Sequence, residues 1–156
     1  MSQHEEWTGT VTGMFYTMEG EVKGTASIKS ITFKKGEKKE APQPVVVTGA
    51  EKELDLTTFT GFRGITGRMN GNVLELDITG YGETKESPAV WVPALTFDAS
   101  KYRYIKVVMK SNTTTNKVPE HDIYFKTADS DKYAEAKKIH IDLKNSDEYV
   151  TYIFDM

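Results

Sequence analysis

Apolar and polar residues alternate along most of this chain with the two-residue period of β-strands. In Asn72–Ile78, Leu74, Leu76 and Ile78 point one way and Glu75 and Asp77 the other. Tyr104–Lys110 sets Ile105, Val107 and Met109 against Lys106 and Lys110. Asp122–Thr127 sets Ile123 and Phe125 against Tyr124 and Lys126. Lys138–Leu143 sets Ile139, Ile141 and Leu143 against His140 and Asp142. Such one-sided alternation is the mark of antiparallel strands with one buried face. Thr8–Met14, Ala89–Val92 and Glu148–Phe154 are further strands. Thr25–Phe33 is another, but Lys29 shares the parity of Ile31 and Phe33, which predicts a bulge or a sheet edge there. Asn70-Gly71 is a strong two-residue hairpin signal, joining a strand around 64–68 to the one that starts near Asn72.

Helical signals are weak. Ala134–Lys138 has the propensity but is too short to stand alone, and Asp98–Tyr102 reads as a single turn. Lys34–Pro44 is charged and Pro-containing with no apolar period, and Val45-Val46-Val47 follows it. This stretch predicts a linker over 35–50. The expected fold is therefore an all-β, antiparallel two-sheet sandwich in a single domain.

Composition narrows the function. The chain has 156 residues, enough for one core without covalent staples. A net charge of −3 points away from nucleic acid and anionic membranes. No apolar run is long enough for a membrane helix, and the chain does not open on a signal peptide. Cysteine is absent, which removes disulfides, thiolate metal sites and Cys nucleophiles. No G-x-S-x-G, P-loop, H-E-x-x-H or G-x-G-x-x-G run occurs, and His4, His121 and His140 have no ligand spacing. The chain reads as a non-enzyme.

Leu54–Met156 carries a series of recognisable blocks. They are Gly71-Asn72-Val73-Leu74, Ile78-Thr79-Gly80, Ser87-Pro88, Val92-Pro93, Leu95–Lys110, Asp122–Asp131 and Tyr152-Ile153-Phe154-Asp155-Met156. This segment resembles the galactose-binding-like jelly-roll modules of bacterial xylanases and glucanases, the relatives of carbohydrate-binding families 4, 9 and 22. Such modules continue with a Trp-x-Gly-Thr strand and an Ile-rich last strand. Here those pieces stand at the beginning, as Trp7-Thr8-Gly9-Thr10-Val11 and Ile28–Phe33. The order implies circular permutation: residues 1–34 correspond to the C-terminal part of the family, 35–50 to a linker, and 51–156 to its N-terminal and central parts. The alternative is an ordinary sandwich with an added N-terminal hairpin. Split ends also invite a strand-exchanged dimer.

The resemblance implies an extracellular, secreted, non-catalytic module that binds a polysaccharide or oligosaccharide, of the plant β-glycan class of xylan or β-glucan. A structural or interaction sandwich without sugar binding is the alternative. Sugar binding needs aromatic faces and a few polar groups. Trp91 lies opposite Val90 and Val92; if the valines are core, Trp91 faces outward as a stacking platform, and if Trp91 is core, they are not. Tyr124 opposes Ile123 and Phe125 and belongs to the outer or cleft face. Tyr81 and Glu83 sit in a loop that shapes the cleft in the family, against the alternative of a plain turn. Arg63 and Arg68 can donate to hydroxyls or simply be solvated. Trp7 is expected to pack at the edge of the sandwich, and Tyr102 and Tyr104 to be structural. Structural Ca²⁺ is usual in the family, but Lys29 stands where a ligating Asp is common, and Asp129-Ser130-Asp131 reads as a polar turn. No cofactor is expected.

Overall fold

In a computed structural model of the chain, the alternating segments pair into two antiparallel sheets packed face to face. The structure describes residues 7–18, 22–35, 51–80, 86–92, 95–115, 121–130 and 132–156. The strands are β1 (Thr10–Met18), β2 (Val22–Lys34), β3 (Glu51–Glu53), β4 (Thr60–Arg63), β5 (Ile65–Asn70), β6 (Val73–Ile78), β7 (Ala89–Val92), β8 (Phe97–Asp98), β9 (Tyr104–Thr115), β10 (His121–Thr127), β11 (Lys138–Ile141) and β12 (Ser146–Asp155). Sheet I runs β11-β10-β1-β7-β4, with β8 beside β1. Sheet II runs β12-β9-β2-β6-β5, with β3 beside β2. Most neighbours are not consecutive in sequence, because the chain crosses repeatedly from one sheet to the other.

The inner faces interdigitate into one apolar core. Met14, Tyr16 and Met18 of β1, Val90 and Val92 of β7, and Ile123 and Phe125 of β10 supply one side. Ile28, Ile31 and Phe33 of β2, Leu74 and Leu76 of β6, and Ile105, Val107 and Met109 of β9 supply the other. Trp7 is buried deeper than an edge position implies, against Phe33, Phe97 and Phe125.

The parity conflict at Lys29 is resolved as expected. The pairing of β2 with β9 shifts register between Ile28 and Ser30. Ala26 and Ile28 are buried before the shift and Ile31 and Phe33 after it, while Lys29 stays exposed. One extra residue thus keeps the apolar set on the core side. The hairpin between β5 and β6 forms, but Asn70 pairs with Val73, so its loop is Gly71-Asn72 rather than Asn70-Gly71. Gly71 takes φ 59°, and the Asn70 side chain instead donates to Glu75 Oε1 at 2.9 Å. The two weak helical signals become 3₁₀ turns, Ala99–Lys101 capped by Asp98 and Glu135–Lys137.

The two ends of the described chain meet at one place without pairing. Trp7 Nε1 donates to the Tyr102 carbonyl and the Met156 amide to the Arg103 carbonyl, each at 2.8 Å. β1 nevertheless belongs to sheet I and β12 to sheet II. The predicted linker, apart from Lys35, and Val45–Val47 lie outside the described residues.

Candidate functional site

The outer face of sheet I carries a row of aromatic residues. In β7, Val90 and Val92 are buried, so Trp91 points outward, half-buried. In β1 the alternation that buries Met14 and Tyr16 turns Phe15 out, and in β10 it turns Tyr124 out. Register places these directly opposite one another: Phe15 pairs with Trp91 on one side and Tyr124 on the other. The row continues to Lys138, opposite Tyr124. Arg63 of β4 lies over the Trp91 ring, 5.1 Å from its centroid.

The ring geometry decides what this row can do. Phe15 and Tyr124 are parallel, with centroids 4.7 Å apart. Rings lying flat side by side need wider spacing than that. The value matches the strand spacing of roughly 4.8 Å, so the rings stand up from the sheet and press face to face. Phe15 and Trp91 are also stacked, at 5.7 Å and 28°. Arg63 caps the Trp91 end of the stack, and the Lys138 ammonium lies 5.9 Å from the Tyr124 ring at the other. Tyr133 meets Phe15 edge-on at 4.6 Å, in space left by the missing side chain of Gly13. The row is a closed stack with cations at both ends, and it offers ring edges rather than open faces.

Polar groups fix the ends. Arg63 Nε donates to the Ser87 carbonyl at 2.9 Å and Nη1 to Glu86 Oε2 at 2.8 Å. The Tyr124 hydroxyl donates to Glu135 Oε1 at 2.6 Å; burial and that carboxylate push its pKa up to about 12. Lys138 Nζ lies 2.9 Å from Glu135 Oε2 and 3.5 Å from Asp122 Oδ2. Glu135 holds the Lys138 ammonium above its ordinary pKa and is itself lowered by it. Asp122 is fully buried on this face, with His140 Nδ1 2.9 Å from Oδ1.

The structure brings together Trp91, Tyr124 and Arg63, each singled out separately from the sequence, and places Phe15, which was not singled out, between Trp91 and Tyr124. Predicted strand Thr8–Met14 stops one residue short of Phe15, whereas β1 runs on to Met18. Tyr81 and Glu83 lie outside the described residues.

Sheet II offers a different surface. A groove of about 450 Å³ crosses β5, β6, β2 and β9 on its outer face. Register aligns Arg68, Glu75, Ser27 and Lys110 in one row, and Thr66, Asp77, Thr25 and Asn112 in the next. The Glu75 carboxylate is held at both oxygens, by Arg68 Nε at 2.8 Å and Asn70 Nδ2 at 2.9 Å. These hydrogen bonds, Asn70 first, lower its pKa. Beyond Lys110, the Tyr149 ring has the Lys29 and Lys110 ammonium groups each 5.4 Å from its centroid. Each of these side chains follows from its strand's parity, but only the pairing of the strands brings them together. Of the residues singled out from sequence, Arg68 belongs here.

Among the described residues, no group of three or more His, Asp or Glu side chains converges to hold a metal ion, and no helix is long and apolar enough to cross a membrane. Comparison of the chain with protein families, curated proteins and solved structures found no match.

Proposed function

We propose that this β-sandwich is a non-catalytic carbohydrate-binding module of an exported bacterial protein, and that a β-glycan such as xylan or β-glucan lies in the groove of sheet II. The observation that carries this reading is the groove itself: it crosses four strands and is lined by hydroxyl, carboxylate, guanidinium and ammonium groups. Its central carboxylate, Glu75, is already oriented by Arg68 and Asn70. Paired donors and acceptors of this kind match the hydroxyls of a sugar. Preorganisation lowers the ordering cost of binding. The resemblance of the 54–156 segment to galactose-binding-like modules supports the same class. The aromatic row is less suited to be the platform, since its ring faces are already stacked.

Affinity electrophoresis against xylan, β-glucan and mannan tests this, combined with backbone NMR titration by the corresponding oligosaccharides. Retardation on at least one polysaccharide is expected, with shifts at Ser27, Arg68, Glu75 and Lys110 that Arg68→Ala weakens. Shifts confined to Phe15, Trp91 and Tyr124 move the site to sheet I.

The closed aromatic stack favours a second reading. A row capped by Arg63 and Lys138 serves to tie β7, β1 and β10 together, as a structural or interaction domain requires. Absence of retardation on every polysaccharide selects it.

A further inference from the structure

We propose that a second copy of this chain pairs along β12, antiparallel and in a defined register, to join two copies of sheet II across a two-fold axis. β12 is the outermost strand on its side of sheet II among the described residues, and it is ten residues long. The other edges are shorter. β4 and β11 have four residues each and β5 has six. β12 pairs with β9 without a break from Val150 to Asp155, and Tyr149–Phe154 contains neither charge nor proline. A long strand of this kind at an edge is a template for another strand unless charge, proline or a cover blunts it. The register shift of β12 lies before Val150 and leaves Val150–Asp155 regular.

The side-chain pattern selects the partner and the register. Tyr149 and Ile153 both lie on the outer face, each 39% exposed, and they stand symmetrically about Thr151. With Thr151 on a two-fold axis, each Tyr149 faces the Ile153 of the other copy and Thr151 faces itself. A one-residue slip puts these side chains on opposite faces. Such aromatic–β-branched and Thr–Thr pairs are favourable across strands. Self-complementarity about one point is what an isologous contact requires, and no different partner supplies it as directly. A single strand pair covers less than the roughly 1,000 Å² of stable interfaces, so the dimer belongs to the weak, transient class.

Sedimentation equilibrium and thiol cross-linking test the proposal, the latter helped by the absence of cysteine from the chain. The wild type is expected to show a reversible monomer–dimer equilibrium. Ile153→Lys, at an exposed position, is expected to weaken it at least tenfold with unchanged circular dichroism and melting temperature. Thr151→Cys is expected to form a disulfide dimer under oxidised glutathione. Tyr149→Cys and Ile153→Cys are expected to cross-link when mixed and far less when alone. A strictly monomeric wild type up to about 1 mM overturns the proposal. So does a dimer that survives Ile153→Lys without linking through Thr151→Cys, which is the signature of strand exchange instead.

Discussion

Acid weakens this fold through His121 before its carboxylates titrate. His121 is fully buried on the inner face of β10, where its Nδ1 hydrogen-bonds the Tyr16 hydroxyl. Its Nε2 has no hydrogen-bond partner among the described residues. Burial, with a smaller contribution from His140, pushes the imidazole pKa from 6.5 down to about 4. The unfolded chain therefore takes up this proton before the folded one does. Stability is full above the unfolded value and falls as pH drops from about 6.5 toward 4. That interval corresponds to roughly 3 kcal/mol. For a chain of this length it is a fall of roughly 6–12 °C in melting temperature. Urea unfolding at half-unit steps from pH 7.5 to 4, followed by Trp fluorescence, measures it. The double variant Tyr16→Phe/His121→Leu removes both polar partners together and leaves no orphaned group. Its stability should be nearly flat from pH 6.5 to about 5, the part of the window above carboxylate protonation. Glu75, Asp98 and Glu135, held below their ordinary values by hydrogen bonds, add their own loss of stability only below about pH 5, where the unfolded chain begins to protonate them. Equal slopes for wild type and double variant between pH 6.5 and 4 would refute the assignment to His121.

Other perturbations test other parts of the structure. Gly24→Ala should cost about 3 kcal/mol or more in chemical denaturation, because Gly24 sits at φ 138° and a Cβ there runs into the Asn112 carbonyl; a loss within 0.5 kcal/mol would contradict the close approach of β2 and β9. Phe15→Ala should cost about 2 kcal/mol by opening two ring stacks and should shift Trp91 emission to the red; unchanged emission would mean that the row is not stacked as described. Asp155→Asn should cost about 1 kcal/mol and speed amide exchange at Met156, since it breaks the two-point contact with Arg103.

Much of the fold is legible in residue order because one face of each strand is buried. The Lys29 conflict announced its bulge, since a buried lysine costs more than an extra residue in the strand. Trp91 was ambiguous because alternation fixes which residues share a face and not which face is inside; the burial of Val90 and Val92 settles it. Phe15 was missed for a different reason. β1 changes register between Val11 and Gly13, and its buried Thr17 and Met18 extend a segment that looked finished at Met14. The groove of sheet II depends on pairing between strands far apart in sequence, such as β2 with β9, and alternation within one strand carries no such information. The stacking of Phe15 on Tyr124, which takes away the open platform that Tyr124 promised, likewise depends on spacing across strands.

The most direct test is calorimetric titration of xylan and β-glucan oligosaccharides into the wild type and into Glu75→Gln and Phe15→Ala variants. Binding by the wild type that is at least tenfold weaker in Glu75→Gln and nearly unchanged in Phe15→Ala is expected of a glycan held in the groove of sheet II. No heat with either glycan, or a loss confined to Phe15→Ala, would contradict it.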